Sequence, residues 1–444
     1  MDQAQYNAAV DFLRRSLAET EWYDAERLLA YQRNQLAQLL RFTAANVPFY
    51  RERLAPVLRA NGEIDWQGWT EIPLITREDM KTHGMSMRAP LLPPGHGDVH
   101  KQVSSGTTGS PVEVYCSTVM DIAGSSAFER ACRWYGASPR DRSCCTFNAM
   151  ALAGLDPAHW CIGDAVFDNP DTNLPLAVSW GYSAERILGQ MRAHRSTCFI
   201  GSASTLDDFC DAPPEASRGI ALNFAVGTYM AISARARAEI PGLFDTKLYS
   251  TYSSAEAAKI AHECPQSVEG GLHVNCELVY VEIIDDDGRP CSRGESGRVV
   301  VTPILNTAQP LIRYLQGDIA TWGPPCPCGR AHPIIARIDG RLRHRFEFAG
   351  SRRFSPTIGF SPYLDILKAD RWQVAQTGPM DIEVRFVSKA PDSAIDFDAM
   401  TDLYRRNFHD SIKVTYRRLD RIAPAPGGKY IDYVNEYDDG NSPA

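Results

Sequence analysis

From residue 24 to residue 46 the chain reads DAERLLAYQRNQLAQLLRFTAAN, with Leu28, Leu29, Leu36, Leu39, Leu40 and Phe42 recurring about every three, four and seven positions. That spacing predicts an amphipathic helix with one apolar stripe. Pro48, in NVPFY, ends it, because its ring and missing N–H break a helix interior. Residues 1–60 read as helical throughout. In IPLITREDM, Thr76 precedes Arg77, Glu78 and Asp79, a hydroxyl cap followed by an acidic first turn, which predicts another helix start.

Between residues 100 and 335 the pattern changes. Short β-branched runs (CFIGS, IALNFAVG, TKLYSTY, LVYVEIID, GRVVVTPI) alternate with helical ones (SAERILGQMRAH, ISARARAEI). This alternation predicts an α/β sheet with crossover helices. DDDGRP, at 285–290, predicts a hairpin turn between two strands. After Gly340 the texture shifts to DIEVRFVSKA, DFDAMTDLYRRNFHD and SIKVTYRRL, a βαβ-like unit ending in the loop APAPGGKY. The expected architecture is α/β: a large N-terminal domain over 1–340 and a small α+β domain over 341–444.

Length supports two domains, since 444 residues exceed the roughly 250–300 at which one core stops growing. A net charge of -8 argues against nucleic acid or an anionic membrane as the general partner. No apolar run approaches the roughly 18 residues of a membrane span. The start of the chain carries no apolar signal core, so the expected compartment is the cytoplasm. The twelve cysteines are unevenly spaced, which favours buried thiols or a metal site over a disulfide framework.

The candidate chemistry starts at VSSGTTGSPVEVY, residues 103–115. A Gly/Ser/Thr loop lets backbone N–H groups and hydroxyls converge on phosphate oxygens; a solvated linker is the bland alternative. Gly109 is followed by Ser110 and Pro111, so a P-loop NTPase is disfavoured. Four further stretches fall in a telling order: YSSAE at 252, RYLQGD at 313, GR at 340 and PGGK at 426. With ANVPFYRERL, IPLITREDM, VEIIDDDGRPCSRGESGRVVVTPI and CPCGRAHPIIARIDGR, they make nearly the whole chain resemble the phenylacetate–coenzyme A ligase family of adenylate-forming enzymes.

The resemblance implies an ATP-dependent ligase that activates a carboxylic acid, expected to be aromatic, as an acyl adenylate and transfers it to coenzyme A. It implies that Ser104, Ser105, Gly106, Thr107, Thr108 and Gly109 grip the β- and γ-phosphates, with Thr107 among the catalytic groups. Glu256 would ligate Mg²⁺, a hard ion suited to carboxylate oxygen; a solvated helix-start carboxylate is the alternative. Asp318 would accept hydrogen bonds from the ribose hydroxyls, or else be a turn residue. Tyr252 and Ser254 would border the nucleotide, with Tyr252 against adenine. Arg341 would lie near the ribose or α-phosphate. Lys429, in PAPGGKY, would reach the α-phosphate and carboxylate oxygens during adenylation. Met150, Leu152 and Gly154 are candidates for the acyl pocket by position.

CPC at 326–328 has the form of a metal knuckle. By the same resemblance Cys264 and His273 complete a structural Zn²⁺ set with Cys326 and Cys328. His262 and His332 are rival fourth ligands, and reduced, partly buried thiols are the alternative.

Three departures bear on the reaction. Ser110 replaces the usual loop lysine, GTYM at 227–230 replaces GAEP, and Gly340-Arg341-Leu342-Arg343-His344 lacks the hinge carboxylate. The last puts the coenzyme A step in question and leaves open an amine or a carrier-protein thiol as acceptor, or nitrite in place of the carboxylate as the activated group (a diazotase-like reaction). A non-catalytic nucleotide-binding homologue is the other alternative. The oligomeric state is open, a homodimer included.

Overall fold

The computed structural model describes residues 1–103, 112–138, 140–147, 175–179, 182–341, 346, 348, 362–363, 366–423 and 431–437. Two compact units emerge from the chain's contacts, the larger made mainly of residues 1–337 and the smaller mainly of residues 338–444. Among the described residues no helix is long and apolar enough to cross a membrane.

The larger unit opens with helices α1 (Gln3–Thr20) and α2 (Ala25–Asn46), and α2 stops two residues before Pro48. Its apolar stripe differs from the expected one at one position. Leu29 is 43% exposed, whereas Gln32 is buried and donates its amide to the carbonyls of Cys276 and Val279. Leu28 and Leu29 lie about 100° apart on the helix, and Leu28 stands one turn before Gln32 on the buried side. Helix α3 (Arg77–His83) starts at a capping box: Thr76 Oγ1 accepts from the Asp79 N–H, and the Asp79 carboxylate accepts from the Thr76 N–H.

A two-stranded pair, β1 (Val99–Val103) and β2 (Glu113–Ser117), precedes α4 (Thr118–Trp134). The remaining strands of this part of the chain are β3 (Ser143–Phe147), β4 (Leu176–Ser179), β5 (Cys198–Ser202), β6 (Phe224–Thr228), β7 (Leu248–Ser254), β8 (Ala258–Glu263), β9 (Leu272–Val274), β10 (Val279–Ile284), β11 (Ser296–Pro303), β12 (Tyr314–Trp322) and β13 (Ile334–Arg341). They form one eleven-stranded sheet in the order β10-β11-β12-β13-β9-β8-β7-β6-β5-β3-β4. From β4 to β7 the pairing is parallel; from β7 through β8 to β9 it is antiparallel. β7 is therefore the seam of the sheet.

Alternation along the parallel strands feeds two cores. Phe199 and Ala225 face the helices Ala184–His194, Ala203–Asp211 and Ala234–Phe244 through Leu188, Phe209 and Phe244. Cys198, Ile200, Phe224 and Val226 face α4 through Phe128 and Cys132. Both faces are covered, which is why these strands read as nearly continuous apolar runs.

The turn expected at DDDGRP forms, but it is not the whole connection. Gly288 takes a left-handed φ of 82° and its N–H bonds the Asp285 carbonyl, then Pro290 bridges back to Ile284. Strand β11 begins only at Ser296, so the β10–β11 link is longer than a tight hairpin.

The smaller unit holds β14 (Arg371–Gly378), β15 (Asp381–Val387), β16 (Lys413–Arg418) and β17 (Tyr433–Asn435) in the order β16-β15-β14-β17. β15 and β16 are parallel, joined through the helix Phe397–Asn407, as the βαβ pattern predicts. Trp372, Val374, Ile382, Val384, Met400 and Tyr404 pack its core.

Candidate functional site

Several expected site residues fall outside the described ones: Ser104, Ser105, Gly106, Thr107, Thr108, Gly109 and Lys429, together with Met150, Leu152 and Gly154. β1 and β2, which flank the Gly/Ser/Thr stretch, pair in register from Val99–Ser117 to Val103–Glu113. Arg341 closes β13.

The YSSAE residues lie where the seam strand ends. In α/β sheets ligands bind outside the carboxyl ends of parallel strands, where the chain order changes. Tyr252 and Ser254 end β7, and Glu256 sits in the turn that leads into antiparallel β8. It is not a helix-start carboxylate. The turn is held by the Ala257 N–H donating to Ser254 Oγ at 3.1 Å, and Ala258 takes a left-handed φ of 52°. Glu256 keeps only 6% exposure and accepts a 3.4 Å hydrogen bond from the Tyr314 hydroxyl. Carboxylates are seldom buried unless they are engaged.

Asp318 is not in a turn either: it lies within β12, at 7% exposure, directly after Gly317 with φ 83°. The RYLQGD stretch has a second, structural element that sequence reasoning passed over. The buried Arg313 guanidinium donates to Glu282 at 3.1 and 3.2 Å and to the carbonyls of Thr70 and Ile72 at 2.7 and 2.8 Å. Ile75 bridges Tyr314. IPLITREDM and RYLQGD, far apart in sequence, thus bind each other.

The Cys/His set assembles. Cys264, His273, Cys326 and Cys328 bring their ligand atoms within 4.8 Å of one another. The Sγ atoms of Cys264 and Cys326 are 3.8 Å apart, and Cys328 Sγ lies 3.3 Å from His273 Nε2. The rival histidines are turned elsewhere. His262 Nδ1 pairs with Thr251 Oγ1 at 2.8 Å, and His332 Nε2 pairs with Glu277 at 3.2 Å. Burial pushes the Cys326 thiol up to about 12. Burial acts on Cys328 too, but the Arg330 N–H and neighbouring thiols hold it below the usual thiol value. Arg330 itself is clamped between the rings of Trp22 and Trp134 and pairs with Glu21.

Under this knuckle lies a buried network that no apolar pattern announces. Arg130, 1% exposed, donates to Glu277, Asn275 and the Leu17 carbonyl. Glu277 resists its burial: the Arg130 guanidinium and His332 hold its carboxyl well below the usual range. Thr20 of α1 closes the group at 2.6 Å from Glu277.

No family model matches the chain. It is 25% identical to the phenylacetate-coenzyme A ligase of Thermus thermophilus over 346 residues, covering 73% of each protein. Its fold superimposes on 2-hydroxyisobutyryl-CoA ligase, captured in the postadenylation state with an acyl-AMP, at a TM-score of 0.73. That match is 18% identical and covers 95% of this chain and 92% of the other. O-succinylbenzoate coenzyme A synthetase from Bacillus subtilis, solved with ATP and magnesium, matches at a TM-score of 0.51. It is 14% identical, over 75% of this chain and 68% of that one. The chain is thus similar in sequence to a phenylacetate-coenzyme A ligase, and it shares the fold of 2-hydroxyisobutyryl-CoA ligase.

Proposed function

We infer that the protein is an ATP-dependent, AMP-forming ligase that converts a carboxylic acid, of aromatic type, into its coenzyme A thioester. The observation that carries this reading is the buried Glu256 carboxylate at the carboxyl end of β7, in a chain with the adenylate-forming fold.

The chemistry divides into two displacements. A carboxylate oxygen of the acid attacks the α-phosphate of ATP and pyrophosphate leaves. The thiol of coenzyme A then attacks the acyl carbonyl, AMP leaves, and the thiol proton passes to solvent. In the first step the protein's task is to hold a polyphosphate and meet charge where it develops. Ser104, Ser105, Gly106, Thr107, Thr108 and Gly109 bind the phosphates. Asp318 takes the ribose hydroxyls, Tyr252 and Ser254 border the base, and Arg341 lies by the ribose or α-phosphate. Lys429 brings a cation to the α-phosphate from the smaller domain. The working division is 1–340 for substrate binding and 341–444 for the lysine, and the expected compartment is the cytoplasm.

Glu256 is the residue that would hold Mg²⁺, which supplies charge neutralisation for the polyphosphate when bound; a buried carboxylate oxygen fits a hard cation. The thiol–imidazole set fits Zn²⁺. Thiolate bonds of about 2.3 Å in a tetrahedron set two sulfurs about 3.8 Å apart, and Cys264 and Cys326 stand at 3.8 Å. With four protein ligands and no open position, this metal is structural.

Pyrophosphate release across a panel of acids, with and without coenzyme A, tests the reading; no release with any acid would defeat it. A second reading keeps the adenylation and changes the acceptor to an amine or a carrier-protein thiol, or the activated group to nitrite. It is favoured by the missing hinge carboxylate in Gly340-Arg341-Leu342-Arg343-His344. A non-catalytic homologue is disfavoured by the retained Glu256, Asp318 and Lys429.

A further inference from the structure

Lys259, near the end of β7, carries a charge that the reaction above leaves unused. It lies on β8 three residues beyond Glu256, opposite Ser253 of β7. It therefore stands at the same carboxyl edge of the parallel strands, where the fold opens its ligand crevice. Its Nζ lies 5.1 Å from the centre of the Phe128 ring, and Phe128 is wholly buried in α4. Among the described residues no carboxylate pairs with it. The lysine is partly buried, and burial brings its pKa down to about 8, with Cys132 of α4 opposing that shift.

The surroundings are shaped for this side chain. Gly124 sits in the middle of α4, where a glycine is less favourable than alanine. A Cβ there would come 3.3 Å from Ala258 Cβ and 3.7 Å from Lys259 Cγ. The glycine gives the β7–β8 turn and the lysine stem their clearance. An aromatic face attracts an ammonium but does not neutralise it, and a desolvated cation without a counter-ion is unfavourable. An anionic group on a ligand would supply that counter-charge.

We propose that Lys259 is a specificity residue, which recognises a second anionic group on the acid being activated. The preferred substrates are then dicarboxylic acids, or acids with an equivalent acidic substituent, rather than simple monocarboxylates. The proposal rests on the ligase reading above, and the lysine takes no part in the bond changes; it selects and orients.

The test uses matched acids: benzoate against benzene-1,3- and benzene-1,4-dicarboxylate, and butyrate against succinate and glutarate. For each, kcat/KM is read from pyrophosphate release with wild-type protein and with Lys259→Met, Lys259→Gln and Lys259→Arg. The wild type is expected to favour at least one diacid over its partner by about tenfold or more, the scale of one charge-assisted hydrogen bond. Lys259→Met and Lys259→Gln collapse that ratio, and Lys259→Arg, which keeps the charge, retains most of it. A preference for monoacids, or a ratio that the neutral variants leave unchanged, overturns the proposal. Calorimetric titration of the same acids without ATP separates the two claims. Diacid binding that depends on Lys259, with no pyrophosphate released from any acid, sinks the ligase reading and leaves this inference standing. Equal binding to wild type and Lys259→Met sinks the inference alone.

Discussion

At the scale of single residues, Glu256 carries the most specific expectation. Glu256→Gln keeps the shape and the Tyr314 contact but removes a charge from a hard-metal ligand. Turnover should fall while the acid's affinity changes little, and pyrophosphate release at saturating Mg²⁺ reads the difference. Wild-type release by the variant would remove Glu256 from the metal site. Lys259 makes a separate prediction about stability. Its native pKa of about 8 lies below the unfolded value of about 10.4. Between those values the unfolded chain binds more protons, so this group makes stability rise with pH. Denaturant unfolding at pH 7.5 and 9.5 should show that gain in the wild type and a smaller one in Lys259→Met. Cys132, which faces the lysine from α4, is itself pushed well above the usual thiol range by burial. The sequence marked Glu256 and Asp318 because a motif surrounds them. It could not mark Lys259, Arg130 or Arg313, because their roles come from residues tens or hundreds of positions away.

At the scale of elements, the knuckle around Cys326 and Cys328 ties the turn after β8, through Cys264, to β9, through His273. Spacing alone allowed His262, His273 or His332 as fourth partner; the hydrogen bonds to Thr251 and Glu277 occupy the other two. One zinc per chain is expected by metal analysis. Since a metal bound only in the folded state adds its binding energy to folding, Cys326→Ser should lower the unfolding temperature before it lowers activity. Metal-free protein with unchanged stability would reduce the cluster to neighbouring thiols. The same dependence on distant partners limits how elements read from sequence. The βαβ core of the smaller unit was legible, because helix and strand periods alternate there within forty residues. Strand β14 was not, since RWQVAQTG mixes polar and apolar residues and finds its register against β15 and β17. Leu29 and Gln32 traded places on α2 because two backbone carbonyls reward the buried amide.

At the scale of the whole molecule, the question is whether the two half-reactions both survive. Lys429 belongs to the residues after 341, and the resemblance gives it to adenylation alone. Removing one charge-stabilising group from a developing transition state costs on the order of 100-fold. Lys429→Ala should therefore suppress acyl-adenylate formation by about that factor, measured as acid-dependent pyrophosphate release. The same variant should still consume a synthetic acyl adenylate, because that step no longer needs the α-phosphate attacked. Equal loss in both assays would mean a general binding or folding defect. The second half depends on the segment Arg341-Leu342-Arg343-His344, where bases stand in place of the hinge carboxylate. If the domain movement persists without that carboxylate, coenzyme A is consumed one for one with AMP released from the wild type. If AMP forms but coenzyme A is neither bound nor consumed, the ligase is an adenylating enzyme for another nucleophile. Repeating the AMP assay with an amine and a carrier-protein thiol as acceptors, and with nitrite in place of the acid, then identifies which group is activated and which nucleophile takes it.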